Sequence, residues 1–347
     1  MLSFLRKKQA RQVTISERDL AFSVPPGASL LEAMLANGIA MPHDCKVGTC
    51  GTCRYRLEEG KIGELSPSAL SLTREDLEAG YRLACQTIPR SDLRIAVDRL
   101  HGQMAAIAHY DAEIIATPNL SHDIIGLTLR LDRPITFTAG QHADLTAPGL
   151  IGARSYSFAF APKGEAAGVV RFHVRKVPGG AFTEWLFAAD RTGTKLQLSG
   201  PDGYFGLHDA DASILCIAGG SGLAPILSIL EEAQWAGTTR PVTLLYGART
   251  RKDLYCTAEI EALRKGWPDT FDFLPVLSAE PEDSAWAGAR GLVSDYIDKV
   301  AGLAGRQAYL CGPPPMIDAA EAALLAAGLT SDAIKADRFY DRSRQGA

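Results

Sequence analysis

Between Asp44 and Cys53 the chain reads DCKVGTCGTC, which sets three thiols at the spacing C-x4-C-x2-C, and a fourth, Cys85, follows after a long gap. Cys45, Cys50, Cys53 and Cys85 in this order match the ligand pattern of a plant-type [2Fe–2S] cluster, in which thiolates hold the irons. Gly48 and Gly51 let the loop wrap closely enough for backbone N–H groups to reach the sulfides, and Thr49 and Thr52 add hydroxyls. A structural zinc site is the plainer use of cysteines. It usually pairs one C-x2-C with another, however, and the sequence holds no second pair.

Two further stretches offer nucleotide chemistry. In a strand Arg154-Ser155-Tyr156-Ser157, Arg154 and Tyr156 would project on one face, a cation beside a flat ring. That suits a flavin dinucleotide, although a strand tyrosine beside an arginine also serves as packing with a cation–π contact. An alternating strand over 169–174 leads through Pro178-Gly179-Gly180-Ala181-Phe182 into a helix expected over 183–188, whose first N–H groups can hold a pyrophosphate. Farther on, Gly219-Gly220-Ser221-Gly222 makes a tight turn between an apolar strand, 214–218, and an amphipathic helix, 223–234. Cys311-Gly312-Pro313-Pro314-Pro315-Met316 stands in the same relation to a strand at 308–311 and a helix at 316–327. A glycine turn alone is often a simple strand-to-helix connection, but two turns on one sheet edge point to a nucleotide. The spacing is not the full dinucleotide fingerprint. The strand that should end in an acidic ribose-binding residue, 242–246, runs instead into Gly247-Ala248-Arg249.

Stepwise changes in texture supply the frames for these residues and predict a multidomain chain of α+β and α/β class. Residues 1–12 form a basic segment with four apolar side chains, expected to be a solvated terminus, with weak membrane-surface contact as the rival. Residues 13–98 read as strand, helix, cluster loop and strand, the layout of a β-grasp ferredoxin. Ser29 and Glu32 make a capping box, Leu30, Leu31, Met34 and Leu35 an apolar stripe, and Gly38 a left-handed stop. Strand 54–57, a short helix from Thr73 to 78 and the return at 81–85 complete it. Residues 99–109 read as a linker, and 110–207, with short strands such as 124–131 punctuated by Pro134, Gly140, Pro148 and Gly152, as a small antiparallel barrel. Residues 208–347 alternate strand and helix, including a strand at 271–277, which implies a parallel sheet with ligands at the C-terminal strand ends.

The totals exclude several classes. At 347 residues two or three domains are expected, and a net charge of −4 leaves no basic excess for nucleic acid. Cys216, Cys256 and Cys311 are scattered, unlike a disulfide framework, so a reducing cytosol is expected. No run is long enough to span a bilayer, and no signal-peptide core is expected at the N-terminus.

Taken together, PHDCKVGTCGTC, RSYSF, VPGGAFTEWLF, YFGLH, AGGSGLAP, YGAR, DLYC, CGPPPMIDAAE and ADRFY, in this order over residues 13–342, resemble the iron–sulfur flavoprotein reductases of bacterial oxygenases. In that family a plant-type ferredoxin is fused to a ferredoxin–NADP⁺ reductase-like pair of domains. The chain is similar in particular to the branch serving xylene-, toluene- or cymene-type hydroxylases. The resemblance implies FAD, NADH and a [2Fe–2S] cluster on Cys45, Cys50, Cys53 and Cys85. Arg154 would grip the FAD pyrophosphate, Tyr156 would lie against the isoalloxazine, and Ser157 would hydrogen-bond near the flavin nitrogen that accepts hydride. Gly180, Ala181 and Thr183 would hold the flavin phosphates, and His173 counts among the cofactor-binding residues. The nicotinamide cleft would comprise Gly219, Gly220, Ser221, Gly222, Gly312, Pro313 and Met316, with Cys311 near the hydride carbon. Phe339 would sit by the flavin, and Asp337 would occupy an acidic position of the family. His142 departs from the aromatic residue that commonly follows the Gly-Gln pair.

The same resemblance implies a partner, an oxygenase that is a membrane-embedded diiron hydroxylase of aromatic methyl groups, served by a monomeric reductase at the inner face of the cytoplasmic membrane. A Rieske dioxygenase, a soluble diiron hydroxylase or a haem monooxygenase would use the same module. A non-catalytic redox sensor or zinc module is the alternative from another class. Arg249, Arg251 and Lys252 lie where an adenosine 2′-phosphate would fall, and Arg249 counts as cofactor-binding. Solvated surface charge is the plainer reading for them, and Asp253 beside them and the resemblance favour NADH.

Overall fold

Val13 and Ile15 alternate with polar residues in β1 (Arg11–Ile15), Phe22 and Val24 do so in β2 (Leu20–Val24), and all four are buried on one face. The structure is a computed structural model and describes residues 9–340 apart from 17–19, 40, 44–45, 49–50, 67–71, 98–106, 163–166 and 209. The chain divides into two compact units, Met1–Ala106 and Ile107–Ala347.

In the first unit, α1 (Leu30–Ala36) starts at the expected capping box. Ser29 Oγ accepts from Glu32 N–H at 3.2 Å, and Ser29 N–H donates to Glu32 Oε2 at 2.8 Å. Gly38 follows at φ +69, the left-handed position that ends the helix. The further elements are β3 (Arg54–Glu59), β4 (Ile62–Glu64), α2 (Arg74–Glu78, capped by Thr73), β5 (Tyr81–Leu83), β6 (Thr87–Pro89) and β7 (Leu93–Ala96). The sheet order β2-β1-β7-β3-β5, with β1 and β7 parallel and the other pairs antiparallel, is the β-grasp arrangement. Leu30, Met34, Tyr55, Leu83 and Ile95 are fully buried between sheet and helix. Burial of each contributes about 1.5–3 kcal/mol. β1 takes up Arg11 and Gln12, the end of the segment expected to be a loose terminus, because their strand neighbours Val13 and Ile15 are drawn into this core. The rest of that segment that could bear on membrane contact, 1–8, lies outside the described residues.

The second unit begins with six antiparallel strands, β8 (Ala108–Ala116), β9 (Ile124–Ile135), β10 (His142–Thr146), β11 (Arg154–Ser157), β12 (Ala167–Arg175) and β13 (Lys195–Asp202), and a short helix, α3 (Ala181–Phe187). β8 starts within the stretch expected to be linker, since Ala108 and His109 pair with Gly200 and Ser199. Sheet order runs β11-β10-β13-β8-β9-β12, and a bridge between Phe158 and Phe172 joins its two ends into a barrel. Phe137 stacks on Phe158 at 3.9 Å inside it.

The remaining elements alternate: β14 (Ile214–Gly219), α4 (Leu223–Trp235), β15 (Val242–Ala248), α5 (Thr257–Gly266), β16 (Phe271–Leu277), β17 (Ala289–Arg290), β18 (Gln307–Gly312), α6 (Pro314–Ala326) and β19 (Ile334–Arg338). All strand pairs are parallel, in the order β17-β16-β15-β14-β18-β19. Ile214, Cys216 and Ala218 face one core and Leu215 and Ile217 the other, so a strand covered on both faces reads as an unbroken apolar run. The chain winds outward on both sides of β14, and β15 and β18 flank it, which opens a crevice at the C-terminal strand ends. Helix α4 also grips the barrel. Ser228 Oγ donates to Phe160 O at 2.7 Å, Ala161 N–H to Glu231 Oε2 at 3.0 Å, and Ala139 N–H to Glu232 Oε1 at 3.4 Å.

Candidate functional site

Cys45 and Cys50 lie outside the described residues, whereas Cys53 and Cys85 are both buried. Two hydrogen bonds fix them. Ala84 N–H donates to Cys53 O at 2.9 Å, and Leu31 N–H at the start of α1 donates to Ala84 O at 3.0 Å, which anchors the helix next to the fourth cysteine. The sulfurs receive donors: Cys85 N–H points at Cys53 Sγ at 3.5 Å and Gln86 Nε2 at Cys85 Sγ at 3.4 Å. Donation to sulfur stabilises a thiolate, the state a metal ligand requires. Lys46, Gly48 and Gly51 have φ of +57, +87 and +74, so the loop coils tightly in the manner that turns backbone N–H groups inward. A Cβ on Gly48 would lie 2.7 Å from Gln86 Cγ, so glycine there lets the loop reach the residue after Cys85. These features fit a sulfide-bridged cluster on the four cysteines.

In the barrel, Arg154 and Tyr156 are half-buried on the same face of β11, and Ser157 is buried on the other. Burial raises the Tyr156 phenol far above its ordinary value, with Arg154 opposing the shift, so the ring stays neutral. Helix α3 begins at Ala181, two residues earlier than the sequence pattern predicts, because Gly180 takes the extended cap position. Thr183 is buried in that turn. Its hydroxyl accepts from Val177 N–H at 3.1 Å and faces the carbonyls of Val177 and Gly180 at 3.1 and 3.0 Å, so it pins the turn that presents Gly180 and Ala181.

At the crevice a cavity of about 290 Å³ is lined by Gly219, Gly220, Arg249, Pro313 and Met316 among the expected residues and by Asp253 of the DLYC motif, together with Asp123, Arg175, Ser278 and Leu292, which the motifs did not signal. Gly222 lies beneath it. A Cβ there would meet Cys311 O at 2.2 Å, and one on Gly219 would meet Met316 Sδ at 2.4 Å, so only bare backbone allows the two turns to approach. Ser221 sits between them in the 3-10 turn Gly220–Gly222 that feeds α4. Helix α6 begins at Pro314, not at Met316, since proline is well suited to the first helical position. The floor of bare glycines at helix starts fits the phosphate-bearing part of a nucleotide.

Where barrel and parallel sheet meet, two expected residues converge on the carboxylate of a third. Ser157 Oγ lies 3.5 Å and Cys311 Sγ 3.8 Å from Asp337 Oδ2, and Cys311 and Asp337 are direct neighbours across β18 and β19. Phe339 N–H donates to Gly312 O at 2.9 Å, and its ring packs on the core of the α/β layer. His142 stands 4.0 Å from buried Asp202.

His173 on β12 is 3.3 Å from the hydroxyl of buried Tyr255, whose oxygen is 3.4 Å from Gly220 O. Burial, helped by the Arg171 guanidinium, pushes the imidazole from 6.5 down to about 4. The unfolded chain therefore binds more protons between these values. The shift costs nothing above pH 6.5, where the ring is neutral in both states, and it lowers stability as pH falls toward 4. A His173→Gln protein should lose less thermal stability than the parent between pH 7 and about 4.5. Equal loss in both would assign the acid sensitivity to other groups.

Beside the cavity, Asp123 Oδ2 accepts from Arg175 Nε at 3.2 Å and Arg249 Nη2 at 3.0 Å, and Arg249 Nη2 reaches Asp253 Oδ1 at 2.7 Å. Burial pushes Asp253 up, but hydrogen bonds from Thr250 and Arg249 outweigh it and hold the carboxyl below its ordinary range. His122, Asp123 and Asp253 gather like metal ligands, yet the two arginines already neutralise the carboxylates. No helix among the described residues is long and apolar enough to cross a membrane.

Three family models match the chain: a 2Fe-2S iron-sulfur cluster binding domain over residues 13–90, an oxidoreductase FAD-binding domain over 111–206 and an oxidoreductase NAD-binding domain over 216–322. The chain is 45% identical over 330 residues to the xylene/toluene monooxygenase electron transfer component XylA of Pseudomonas putida, covering 95% of this chain and 94% of the relative. It is 39% identical to the phenol 2-monooxygenase reductase component DmpP of Pseudomonas sp. (strain CF600), covering 94% of each. Among solved structures, the Amycolatopsis cytochrome P450 reductase GcoB superposes with a TM-score of 0.80 at 31% identity, covering 95% of this chain and 98% of that one. With thiols, flavin barrel and nucleotide crevice in this order, the chain belongs to the family of iron–sulfur flavoprotein reductases that deliver electrons to oxygenases, and it carries binding domains for a [2Fe–2S] cluster, FAD and NAD.

Proposed function

We propose that NADH is the donor and that the acceptor is a membrane-embedded diiron hydroxylase of aromatic methyl groups, with this reductase acting as a monomer at the inner face of the cytoplasmic membrane. The observation that carries the acceptor assignment is the 45% identity over nearly the whole chain to a xylene/toluene monooxygenase electron transfer component. NADH is supported by Arg249 and Arg251, which are engaged by Asp123, Asp253 and Glu280 and so poorly disposed toward a 2′-phosphate.

FAD and the cluster, when bound, supply the change from a two-electron donor to one-electron delivery. The protein's residues position and shield. Arg154 would neutralise flavin phosphate, Tyr156 would offer a neutral ring face, and Ala181 would offer its backbone N–H from a turn that Thr183 holds in place, the Gly180 N–H being taken by Val177 O at 2.9 Å. Gly219 to Gly222 and Gly312 to Met316 admit the nicotinamide nucleotide by close backbone approach. Asp337 orients the hydrogens of Ser157 Oγ and Cys311 Sγ toward itself and holds both residues where the two nucleotides meet. Cys45, Cys50, Cys53 and Cys85 ligate the cluster.

The test is reconstitution. With NADH, the purified reductase should support methyl hydroxylation by membranes that contain a xylene/toluene-type hydroxylase, and removal of residues 1–8 should weaken that coupling most at low ionic strength. Turnover with a haem monooxygenase or a soluble hydroxylase, and none with the membranes, would reassign the acceptor. A higher kcat/KM for NADPH than for NADH would overturn the donor.

A further inference from the structure

We infer that Asp123 is a specificity-determining residue for the nicotinamide nucleotide, supplied by the barrel to a cleft of the parallel sheet. The inference deepens the NADH reading and rests on it. β15 ends in Gly247-Ala248 and Arg249 follows it, so the acid that an NAD site commonly places there to accept the ribose 2′-hydroxyl is missing from the strand itself. Two carboxylates arrive at the same place from elsewhere. Asp123 precedes β9 of the barrel, and Asp253 lies in the 3-10 turn Arg251–Asp253 that follows β15.

Both take the same nitrogen of Arg249. Its Nη2 lies 3.0 Å from Asp123 Oδ2 and 2.7 Å from Asp253 Oδ1, and Arg175 Nε also donates to Asp123 at 3.2 Å. The two acids are mostly buried, with 17% and 12% of their side-chain surface exposed, while Arg249 is 54% exposed. Anchored acids therefore dictate where the exposed guanidinium points. All four groups line the cavity, and together their charges cancel.

A 2′-phosphate brings roughly −1.5 to −2 charges to this rim. It would meet a cation whose donor faces two carboxylates already, and the carboxylates would repel it. A ribose hydroxyl meets no such penalty, since it can donate to either acid. Asp123 thus performs the exclusion that a strand-end acid performs elsewhere, and does so across the boundary between the flavin barrel and the nucleotide layer. Asp253 alone is less suited to this, because its other oxygen already accepts from Thr250 N–H and Oγ1 at 2.9 and 2.7 Å.

The experiment compares kcat/KM for NADH and NADPH in the holoprotein, using an acceptor reduced at the flavin. The parent is measured first: preference for NADPH there would sink the NADH reading itself. Given a parent that prefers NADH, Asp123→Asn should raise the NADPH/NADH ratio by about tenfold or more, chiefly through KM for NADPH. Inhibition by adenosine 2′,5′-bisphosphate should tighten relative to 5′-AMP. Asp123→Glu should keep the parental ratio, and adding Arg249→Ala to Asp123→Asn should erase the gain. A ratio that stays within about twofold of the parent at full flavin content, or a gain that survives loss of Arg249, would overturn the inference. Should Asp123→Asn fail to retain flavin, Asp123→Ser, which removes the same charge, is judged by the same ratio.

Discussion

Cys53→Ser and Cys85→Ser proteins are expected to purify with flavin but with little or no iron and labile sulfide, and to lose most NADH-dependent reduction of cytochrome c. Reduction of an acceptor that draws on the flavin directly should survive. The reason is local. Cys53 and Cys85 are tied to one another through Ala84, their sulfurs receive N–H donors, and both are 4% exposed or less, so a serine oxygen cannot be replaced at the site by another side chain or by water. The flavin barrel belongs to the other compact unit and has its own core. Iron and sulfide analysis with the visible spectrum measures the first part. Unchanged cytochrome c reduction in a cluster-free variant would show that electrons leave from the flavin.

Gly222→Ala is expected to be the most damaging single methyl group in the α/β layer. Its Cβ would lie 2.2 Å from Cys311 O, 2.5 Å from Cys311 C and 2.7 Å from Gly312 N, all backbone atoms that no rotamer change can move aside. Either the turn or β18 must shift. Such overpacking costs about 1–3 kcal/mol. Displacement of Cys311 also disturbs the contact with Asp337, and misplacement by about 1 Å can slow a reaction roughly 10²-fold. Thermal unfolding and NADH oxidation at saturating acceptor check both parts. An alanine protein with parental stability and rate would mean that the two turns are not in the contact described. Gly237, with open space around its Cβ position but a φ of +75, is a useful control for backbone strain alone.

The features legible in the sequence were those written in short-range spacing. The Cys45–Cys53 spacing, the Ser29–Glu32 box and the two strand–turn–helix punctuations each lie within a few residues, and the observed elements at the box and the punctuations follow them closely. Element ends moved where one residue's chemistry overrode periodicity: Pro314 began α6 early and Gly180 did the same for α3. The convergence of Ser157, Cys311 and Asp337 was not readable from pattern, because Ser157 and Asp337 are 180 positions apart and only family resemblance grouped them. Asp123 was missed altogether. It lies in a loop between strands, in no motif, and its meaning depends on a guanidinium 126 positions later. Thr183 has a role that its position at a helix start does not signal, since its hydroxyl is turned into the loop it stabilises.

The attachment of α4 to the barrel has a consequence for how such reductases can diversify. At its three side-chain contacts the helix contributes Ser228, Glu231 and Glu232, and the barrel contributes backbone groups of Phe160, Ala161 and Ala139. Side-chain identity at the barrel positions is largely irrelevant to those bonds, so the polar grip of α4 is encoded on the helix, while the apolar part of the joint draws on both sides. A nucleotide-binding half moved onto another flavin barrel would keep these three bonds whatever the recipient's sequence, but would need apolar residues at the places of Ile124, Ala139, Ala161 and Phe205 to rebuild the shared core.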